Sequence, residues 1–501
     1  MNKLTRRSFL SKAAGAAAGA AVASAFPESV MAQVAKSSSK KPNVLFIMSD
    51  DMRVELGCYA SMFNAKTPNL DKLAQTGVRF DRNYCQFPIC NPSRTSLLTG
   101  RRATVTGVLG NTTAFRDVHP NWVTLPQLFK ENGYTSLRTG KIYHGGMDDP
   151  KAWNIGYGVA EGFVGAGVPR ATEISRRAGQ IIPPGGMDFT KAGNSDRLIT
   201  LSGNGEGNGD YTVADTCIKY LNEYKDKPFF IGCGFSKPHS PPAAPQWCYD
   251  LYKLDDIELT PDFADRPTVP PGFPKAAIRP RNADLFIGRN ASRDEAKEVI
   301  QAYLASISWV DWNLGRVLAE LDKLGLRENT IITFVADHGY QLGEKGKWSK
   351  AGSLFEMGTR VPMMICAPGM KGNGTPCTNM VQSLDMYPTI VELCGLPTQK
   401  ENEGKSLVPL LNDPHGTWTD PAYSIWSEDG KTIHGTMIRT PDWRYVEYGK
   451  DAINGTLLFD VHKDPLEMTN LADDAKYADV KAKLSPLVRE YAAALNIAAG
   501  A

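Results

Sequence analysis

Short apolar runs that end in acids organise this chain. "VLFIMSDD" runs from Val44 to Asp51 without polar interruption until Ser49. Such a run predicts a strand buried on both faces that delivers Asp50 and Asp51 to its C-terminal edge. "TIITFVADHG" repeats the arrangement and predicts a second acid-tipped strand, ending in Asp337 and His338. "YTSLRTGKIYHGG" and "KPFFIGCGFSKPHSPP" predict two more strands that run into polar loops. Helical periods fall between them. "KTPNLDKLAQTG" predicts a helix capped by Thr67, with Pro68 in its first turn and Gly77 at its end. "WVTLPQLFKENG" predicts another, with Thr124 and Gln127 as a capping box. "DYTVADTCIKYLNEY" is helical, and the stretch from Ser292 to Gly325 predicts a long helix or a kinked pair, opened by a Ser292–Glu295 box.

Alternating strands and helices predict an α/β domain with a large, mostly parallel sheet flanked by helices. Sheets of this kind gather ligands outside the carboxyl ends of their strands, which gives the two acid-tipped strands a reason to meet. From Ser424 the texture changes to short aromatic and β-branched runs, "AYSIW", "GTMIRT", "WRYVEYG" and "GTLLFDV", followed by a helical "YADVKAKLSPLVREYAAALN". This predicts a smaller C-terminal antiparallel sheet covered by a helix. The division expected is a catalytic domain over 42–410 and a C-terminal subdomain over 411–501. Asp148 to Asp210 is glycine-rich and weakly periodic, and reads as irregular chain lining a substrate opening.

The N-terminus changes the picture of charge. Arg6 and Arg7 precede a small-residue, weakly apolar run that ends in "SVMA" near Ala32. Residues 1–32 have the layout of a twin-arginine export signal, and 33–41 that of a polar linker. The expected product is periplasmic or otherwise exported, its partner the twin-arginine export machinery. The apolar run is too short and too weak for stable membrane insertion. Loss of Met1–Ala32 removes Lys3, Arg6, Arg7, Lys12 and Glu28, so a formal charge of +2 becomes −1. A near-neutral surface gives no reason to expect nucleic acid as a partner. The nine cysteines are odd in number and irregularly spaced, unlike a disulfide scaffold or a zinc CxxC site.

Two strand tips would gather three carboxylates and an imidazole, and the three carboxylates would repel one another without a cation. Oxygen donors favour a hard ion such as Ca²⁺ or Mg²⁺, and composition alone leaves zinc open. Either pair taken singly reads more readily as acidic caps on loops, and two such tips in one domain make the metal reading competitive. Cys90 adds to the metal reading. Pro92 favours a helix beginning just after it, and a helix N-terminus with Arg94 would stabilise an oxyanion there. Ser93, Thr95 and Ser96 offer hydroxyls, and Arg101 a further cation if the helix turns its basic end toward a neighbour. Cys85 fits a plain buried role better.

"CNPSRTSLLTGR" resembles the signature of the type I sulfatases, in which the cysteine is oxidised after translation to formylglycine, an aldehyde. The pattern holds from Cys90 through Arg94 and again at Thr99, Gly100 and Arg101. With "DDMRVELGCYA", "TGKIYHGG", "SKPHSP", "DHGYQLGEKGKWSK" and the closing "LLFDVHKDPLEMTNLA", the resemblance spans nearly all the mature chain. It is closest to the iduronate-2-sulfatase-like subgroup, which also has histidine where His338 stands. The resemblance implies an alkaline-phosphatase-like fold. It implies a metal shell of Asp50, Asp51, Asp337, His338 and an oxygen of modified residue 90, with Ca²⁺ favoured over Mg²⁺.

It further implies that Arg94 holds the formylglycine hydrate and that Lys141 and His144 form a basic pair beside it. His239 would lie on the sulfate side, and Lys350 would contact sulfate and the leaving oxygen. In that scheme one hydroxyl of the hydrate attacks sulfur, and the sugar oxygen leaves with a proton from His239 or Lys350. The second hydroxyl, deprotonated by His144, re-forms the aldehyde and expels sulfate. Arg53 and Tyr340 flank matched motifs, either lining the pocket or packing against its loops. The implied substrate is a sulfated saccharide cut in exo fashion, with position 2 of a uronic acid as the leading site, and the implied maturation partner is a formylglycine-generating enzyme. The alternatives are a phosphate or phosphonate ester hydrolase of the same superfamily and a noncatalytic sulfated-glycan-binding protein.

Overall fold

The computed structural model describes residues 40–156, 173–175, 180–181 and 196–498. The export-type segment, residues 33–39 of the linker and most of the Asp148–Asp210 stretch lie outside the described residues.

Seven strands form the large sheet: β1 (Asn43–Asp50), β2 (Val78–Tyr84), β3 (Thr135–Gly140), β4 (Phe229–Pro238), β5 (Thr330–Ala336), β6 (Met363–Cys366) and β7 (Pro376–Gln382). Their order is β7-β2-β6-β5-β1-β4-β3. All neighbours are parallel except β6, which runs against both β2 and β5. The unbroken apolar run of β1 is explained by its place. Leu45 and Ile47 enter one core, Val44, Phe46 and Met48 the other, so both faces are dry.

The helices that accompany this sheet include α1 (Pro68–Thr76), α2 (Cys90–Thr99), α3 (Gly209–Tyr224) and α4 (Arg293–Lys323). α4 is one unbroken helix of 31 residues, about 46 Å long, rather than a kinked pair. Its capping box forms as expected: Glu295 N donates to Ser292 Oγ at 3.2 Å and Ser292 N to Glu295 Oε2 at 3.0 Å. The Thr124–Gln127 box does not form. Thr124 Oγ1 donates instead to the buried Asp149 carboxylate at 2.9 Å, and Gln127 Nε2 to Glu131 at 2.7 Å. A charged acceptor takes the hydroxyl that a backbone N–H would otherwise share. Thr67 stands at the cap position of α1, but its hydroxyl joins Gly57 N and Asp71.

The C-terminal sheet is an antiparallel meander of β8 (Ala422–Trp426), β9 (Gly435–Arg439), β10 (Trp443–Tyr448) and β11 (Thr456–Asp460). Helix α5 (Ala478–Ala498) covers it through Leu484 and Val488 against Ile438, Tyr445 and Leu458. Arg444 of β10, wholly buried, ties this sheet to the loop after β5: its guanidinium meets Glu356 and Glu467 and donates to Leu354 O.

Register decides what the large sheet presents. Asp50 lies opposite Pro238, Ser49 opposite Ala336, and Gly140 opposite Gly234. The residues that come next after those partners are Asp51, His239, Asp337 and Lys141, so all four emerge along one sheet edge. Gly140 (φ +70°) and Gly234 permit this crowding. A Cβ on Gly140 would collide with Gly234 O, and one on Gly234 with the Lys141 backbone.

Candidate active site

The turn after β1 is strained on purpose. Asp51 has φ +62°, left-handed territory that a non-glycine residue occupies at a cost of about 1 kcal/mol or more. Tyr303 of α4 holds it there, its hydroxyl donating to Asp51 O at 2.7 Å and accepting from Arg53 N at 3.1 Å. The result is that two consecutive carboxylates, which a straight strand would send to opposite faces, share one space.

Helix α2 brings the cysteine. It begins at Cys90 itself, with Ile89 extended at the cap position, and Pro92 falls third. All ten of its residues are buried. Asn91 N donates to Asn111 Oδ1 at 3.0 Å. Ser93 Oγ donates to Asp337 O. Arg94 reaches three strand ends at once: Nε to Asp337 Oδ2 at 2.8 Å, Nη1 to Lys141 O at 2.5 Å and Ile142 O at 3.0 Å, and Nη2 3.5 Å from Asp50 Oδ1. The Cys-x-Pro-Ser-Arg motif is therefore a strut that fixes Cys90 against β1, β3 and β5.

Around Cys90 Sγ lie His338 Nε2 at 3.3 Å, Asp50 Oδ1 at 3.4 Å and Lys141 Nζ at 3.9 Å. Ligand atoms of Asp50, Asp51, Cys90 and His338 all fall within 4.8 Å of one another. Asp337 closes the group from its edge, Oδ2 lying 3.5 Å from His338 Nε2 while Oδ1 accepts from Asp51 N and His338 N. Two observations fit a cation here. Asp51 Oδ1 is buried with no hydrogen-bond partner, 3.4 Å from His338 Nε2. His338 Nδ1 meets Gly339 O at 3.0 Å, which a carbonyl permits only from N–H, so Nε2, 3.4 to 3.5 Å from the Asp51 and Asp337 carboxylates, is the nitrogen left for a proton or a cation. This donor set is that of a calcium site, with Cys90 Sγ marking the place of the formylglycine oxygen.

The electrostatics agree. Burial pushes the Asp51 carboxyl up and outweighs Lys350 and His338, leaving it well above the usual range. Burial acts on Asp50 too, but its positive neighbours, Lys141 first, outweigh it and hold that carboxyl well below. Burial lowers the His338 imidazole, yet Asp337, Cys90 and Asp51 push it up to about 10. A proton on His338 thus balances the metal-free cluster up to that pH, and a bound cation takes its place. Calcium binding is expected to release protons between pH 7 and 9, from His338 and from the raised Asp51 carboxyl, with affinity rising by up to about tenfold per pH unit for each proton released. Calorimetry in buffers of different ionisation enthalpy checks this, and a buffer-independent heat would contradict it.

Opposite the cluster stand the cations. Lys141 Nζ pairs with Asp50 Oδ2. Lys350 Nζ contacts Asp51 Oδ2 at 2.8 Å, His239 Nε2 at 3.0 Å and Asp284 Oδ1 at 3.1 Å. His239 Nδ1 meets Ser240 O at 2.7 Å, so its Nε2 accepts from Lys350. Burial, then Lys350, drives the His239 pKa well below its ordinary value. His239 is thus a neutral acceptor and Lys350 the charged donor of the pair.

The structure unites nine of the sequence candidates: Asp50, Asp51, Cys90, Arg94, Lys141, His239, Asp337, His338 and Lys350. His144 sits half-buried three residues beyond Lys141, its carbonyl accepting from Met147 N. Arg53 is fully buried between Glu344 (2.7 Å) and Glu55 (3.2 Å), and Tyr340 donates to Trp348 O at 3.0 Å, so both pack against the site loops. Arg101 does not turn toward the site but lies 4.0 Å over the Trp122 ring. Cys85 is buried, and burial raises its thiol pKa. Asp284, Tyr303 and Asn111 went unread in the sequence. Asp284 lies in an irregular, proline-rich region with no pattern to single it out.

Residues 42–396 match the family model described as Sulfatase, and residues 343–493 the one described as N-sulphoglucosamine sulphohydrolase, C-terminal. A sulfatase of Formosa agariphila is 34% identical over 471 residues, covering 89% of this chain and 85% of the relative. Iduronate 2-sulfatase of Homo sapiens is 29% identical over 541 residues, covering 90% and 95%. A solved structure of a protein in complex with its substrate D-glucosamine-2-N,6-O-disulfate superposes with a TM-score of 0.71 at 23% identity, covering 91% of this chain and 98% of that one. At that identity the likeness speaks to the fold alone.

Proposed function

The chain belongs to the sulfatase family, and from that membership we propose that it is an exported, exo-acting carbohydrate sulfatase whose target is the 2-O-sulfate of a uronic acid. The reaction class itself, hydrolysis of sulfate esters, follows from the family and from the Asp50–Asp51–Cys90–His338 cluster. One observation carries the mechanism: the cysteine of a Cys-x-Pro-Ser-Arg motif stands at the start of a buried helix, 3.3 to 3.9 Å from His338, Asp50 and Lys141. Support for a 2-O-sulfated uronate comes from the iduronate-2-sulfatase-like motifs and from a relative of that name along nearly the whole chain.

Asp50, Asp51, Asp337 and His338 would hold calcium with an oxygen at residue 90. The ion would stabilise charge on the sulfate oxygens, and the formylglycine hydrate would supply the attacking hydroxyl and, from its second, the expulsion of sulfate. Arg94 keeps the nucleophile's helix fixed to the metal ligands. Lys141 and Lys350 bring positive charge to an anionic ester that must be approached by another oxygen. Lys350 donates a proton to the leaving sugar oxygen, and His239, accepting from Lys350, orients it. Cys90 is 1% exposed in a helix with no open face, so its conversion precedes closure of the fold around it. Among the described residues no helix is long and apolar enough to cross a membrane.

The test is sulfate release, by ion chromatography, from a panel of sulfated saccharides alongside matched phosphate esters and small alkyl sulfates. Peptide mass spectrometry reports conversion of residue 90 in the same batch. Preferred release from a terminal 2-O-sulfated uronate supports the reading. Faster turnover of a non-saccharide sulfate, or of the phosphate esters, overturns it.

His144 is the proposed base for resetting the nucleophile. His144→Ala is expected to slow turnover by about 10²- to 10⁴-fold while sparing the first half-reaction. Rapid quench should then show one equivalent of alcohol ahead of sulfate. Alcohol and sulfate appearing together would remove His144 from that role.

A further inference from the structure

Lys350 has three N–H donors and three acceptors: Asp51 Oδ2, His239 Nε2 and Asp284 Oδ1. Asp51 belongs to the cation cluster: its Oδ1 faces His338 Nε2 without a hydrogen-bond partner while Oδ2 takes Lys350, so an ion there would share this carboxylate's charge and weaken its hold on the ammonium. The same ion is a like charge beside the ammonium and pushes it outward. His239 offers a lone pair but no countercharge. Among the described residues, Asp284 is the carboxylate that touches Lys350 from outside the cation cluster.

The segment holding Asp284 is built to keep this contact in register. Lys347 Nζ donates to Arg281 O at 3.0 Å, Trp348 N to Asn282 Oδ1 at 3.0 Å and Leu285 N to Trp348 O at 3.4 Å. Residues 281–285 are thereby laced to 347–348, two residues before Lys350. Asp284 Oδ1 takes the ammonium, while Oδ2 is buried with no hydrogen-bond partner. Its side chain is 12% exposed and that of Lys350 6%, so water does little to screen the pair.

We propose that Asp284 is a positioning residue for the reaction: it anchors the Lys350 ammonium when Asp51 is shared with the cation, and so keeps the donor in place for the leaving oxygen. This rests on the reading of Lys350 as proton donor. The anchor matters in proportion to how badly the leaving group needs a proton. A sugar alkoxide needs one; an acidic phenolate does not.

The experiment compares matured, calcium-loaded Asp284→Asn, Asp284→Glu and Lys350→Met with the unaltered enzyme on a sugar sulfate and on 4-nitrophenyl sulfate. Where aryl turnover is too slow to read, a ring-fluorinated sugar sulfate, with a more acidic leaving alcohol, replaces it. Asp284→Asn keeps the shape and one acceptor but loses the charge. It is expected to lower kcat on the sugar sulfate by about 30-fold, and on the acidic leaving group by less than about 3-fold. Asp284→Glu should recover most of that loss, and calcium titration should give an affinity within about 3-fold of the unaltered protein. Equal losses on both substrates for Asp284→Asn, or none on either, overturn the proposal when Lys350→Met still shows the selective loss. If Lys350→Met loses both activities equally, the proton-donor assignment itself falls, and Asp284's role falls with it for that separate reason.

Discussion

Protein in which Cys90 is replaced by alanine is expected to fold, bind calcium more weakly and lose sulfate release by on the order of 10⁵-fold. The substitution removes one sulfur atom from a position that is 1% exposed, and leaves the Cβ and the helix start intact. A void of that size costs about 1 kcal/mol, which a melting curve registers as a small shift. The chemical loss is of another order, because no neighbour can take the nucleophile's place. Lys141 Nζ is paired with Asp50, Lys350 with Asp51 and Asp284, and His338 faces the cation ligands. Cys90→Ser separates the two halves of the reaction. A serine hydroxyl at that point has the attacking oxygen but not the second one, so it is expected to release at most one equivalent of alcohol and then stop. The same reasoning ties the specific activity of the native sequence to the fraction of residue 90 converted. Activity plotted against conversion by peptide mass spectrometry should pass through the origin, and a clear intercept at zero conversion would contradict the role given to Cys90.

The parts of this site that sequence makes legible are those with a local signal. β1 and β5 announce themselves because a strand buried on both faces must be apolar throughout, so the first acids after each run stand at its tip. The start of α2 was legible within two residues for a similar reason: few patterns place proline and arginine just after a cysteine. What was not legible depends on partners far along the chain. Tyr303 clamps Asp51 from 252 residues away. Asp149 captures the Thr124 hydroxyl and cancels a capping box whose local spelling was correct. Trp122 draws Arg101 off by cation–π contact. β6 runs antiparallel in an otherwise parallel sheet, which a run of four apolar residues cannot announce. Asp284 is the clearest case, since only register with Trp348 brings its carboxylate to Lys350.

Stripping calcium, or replacing Asp51 with asparagine, is expected to stop turnover while acting on stability in opposite directions. Asp51 is wholly buried and its carboxyl is pushed well above the usual range, so the fold resists ionising it. For an acid raised in the folded state, that group's contribution turns unfavourable as pH climbs past its unfolded value, about 4, and stays so at neutrality in the metal-free protein. Asparagine keeps the shape and removes the charge, relieving repulsion with Asp50. Metal-free Asp51→Asn should therefore melt no lower than metal-free native protein at pH 7. With calcium the order reverses. Native protein gains about 2.7 kcal/mol when the ion is present at 100 times its Kd. The variant, short of one ligand and with an amide facing the ion, should need at least about 10²-fold more calcium and lose about 10³-fold or more in kcat. Its amide also removes countercharge from Lys350, held at 2.8 Å, so added calcium should not restore the rate in full. Melting curves with and without calcium, read beside the rates, decide the matter. A variant that melts lower than native protein under both conditions would mean that Asp51 serves the fold rather than the ion.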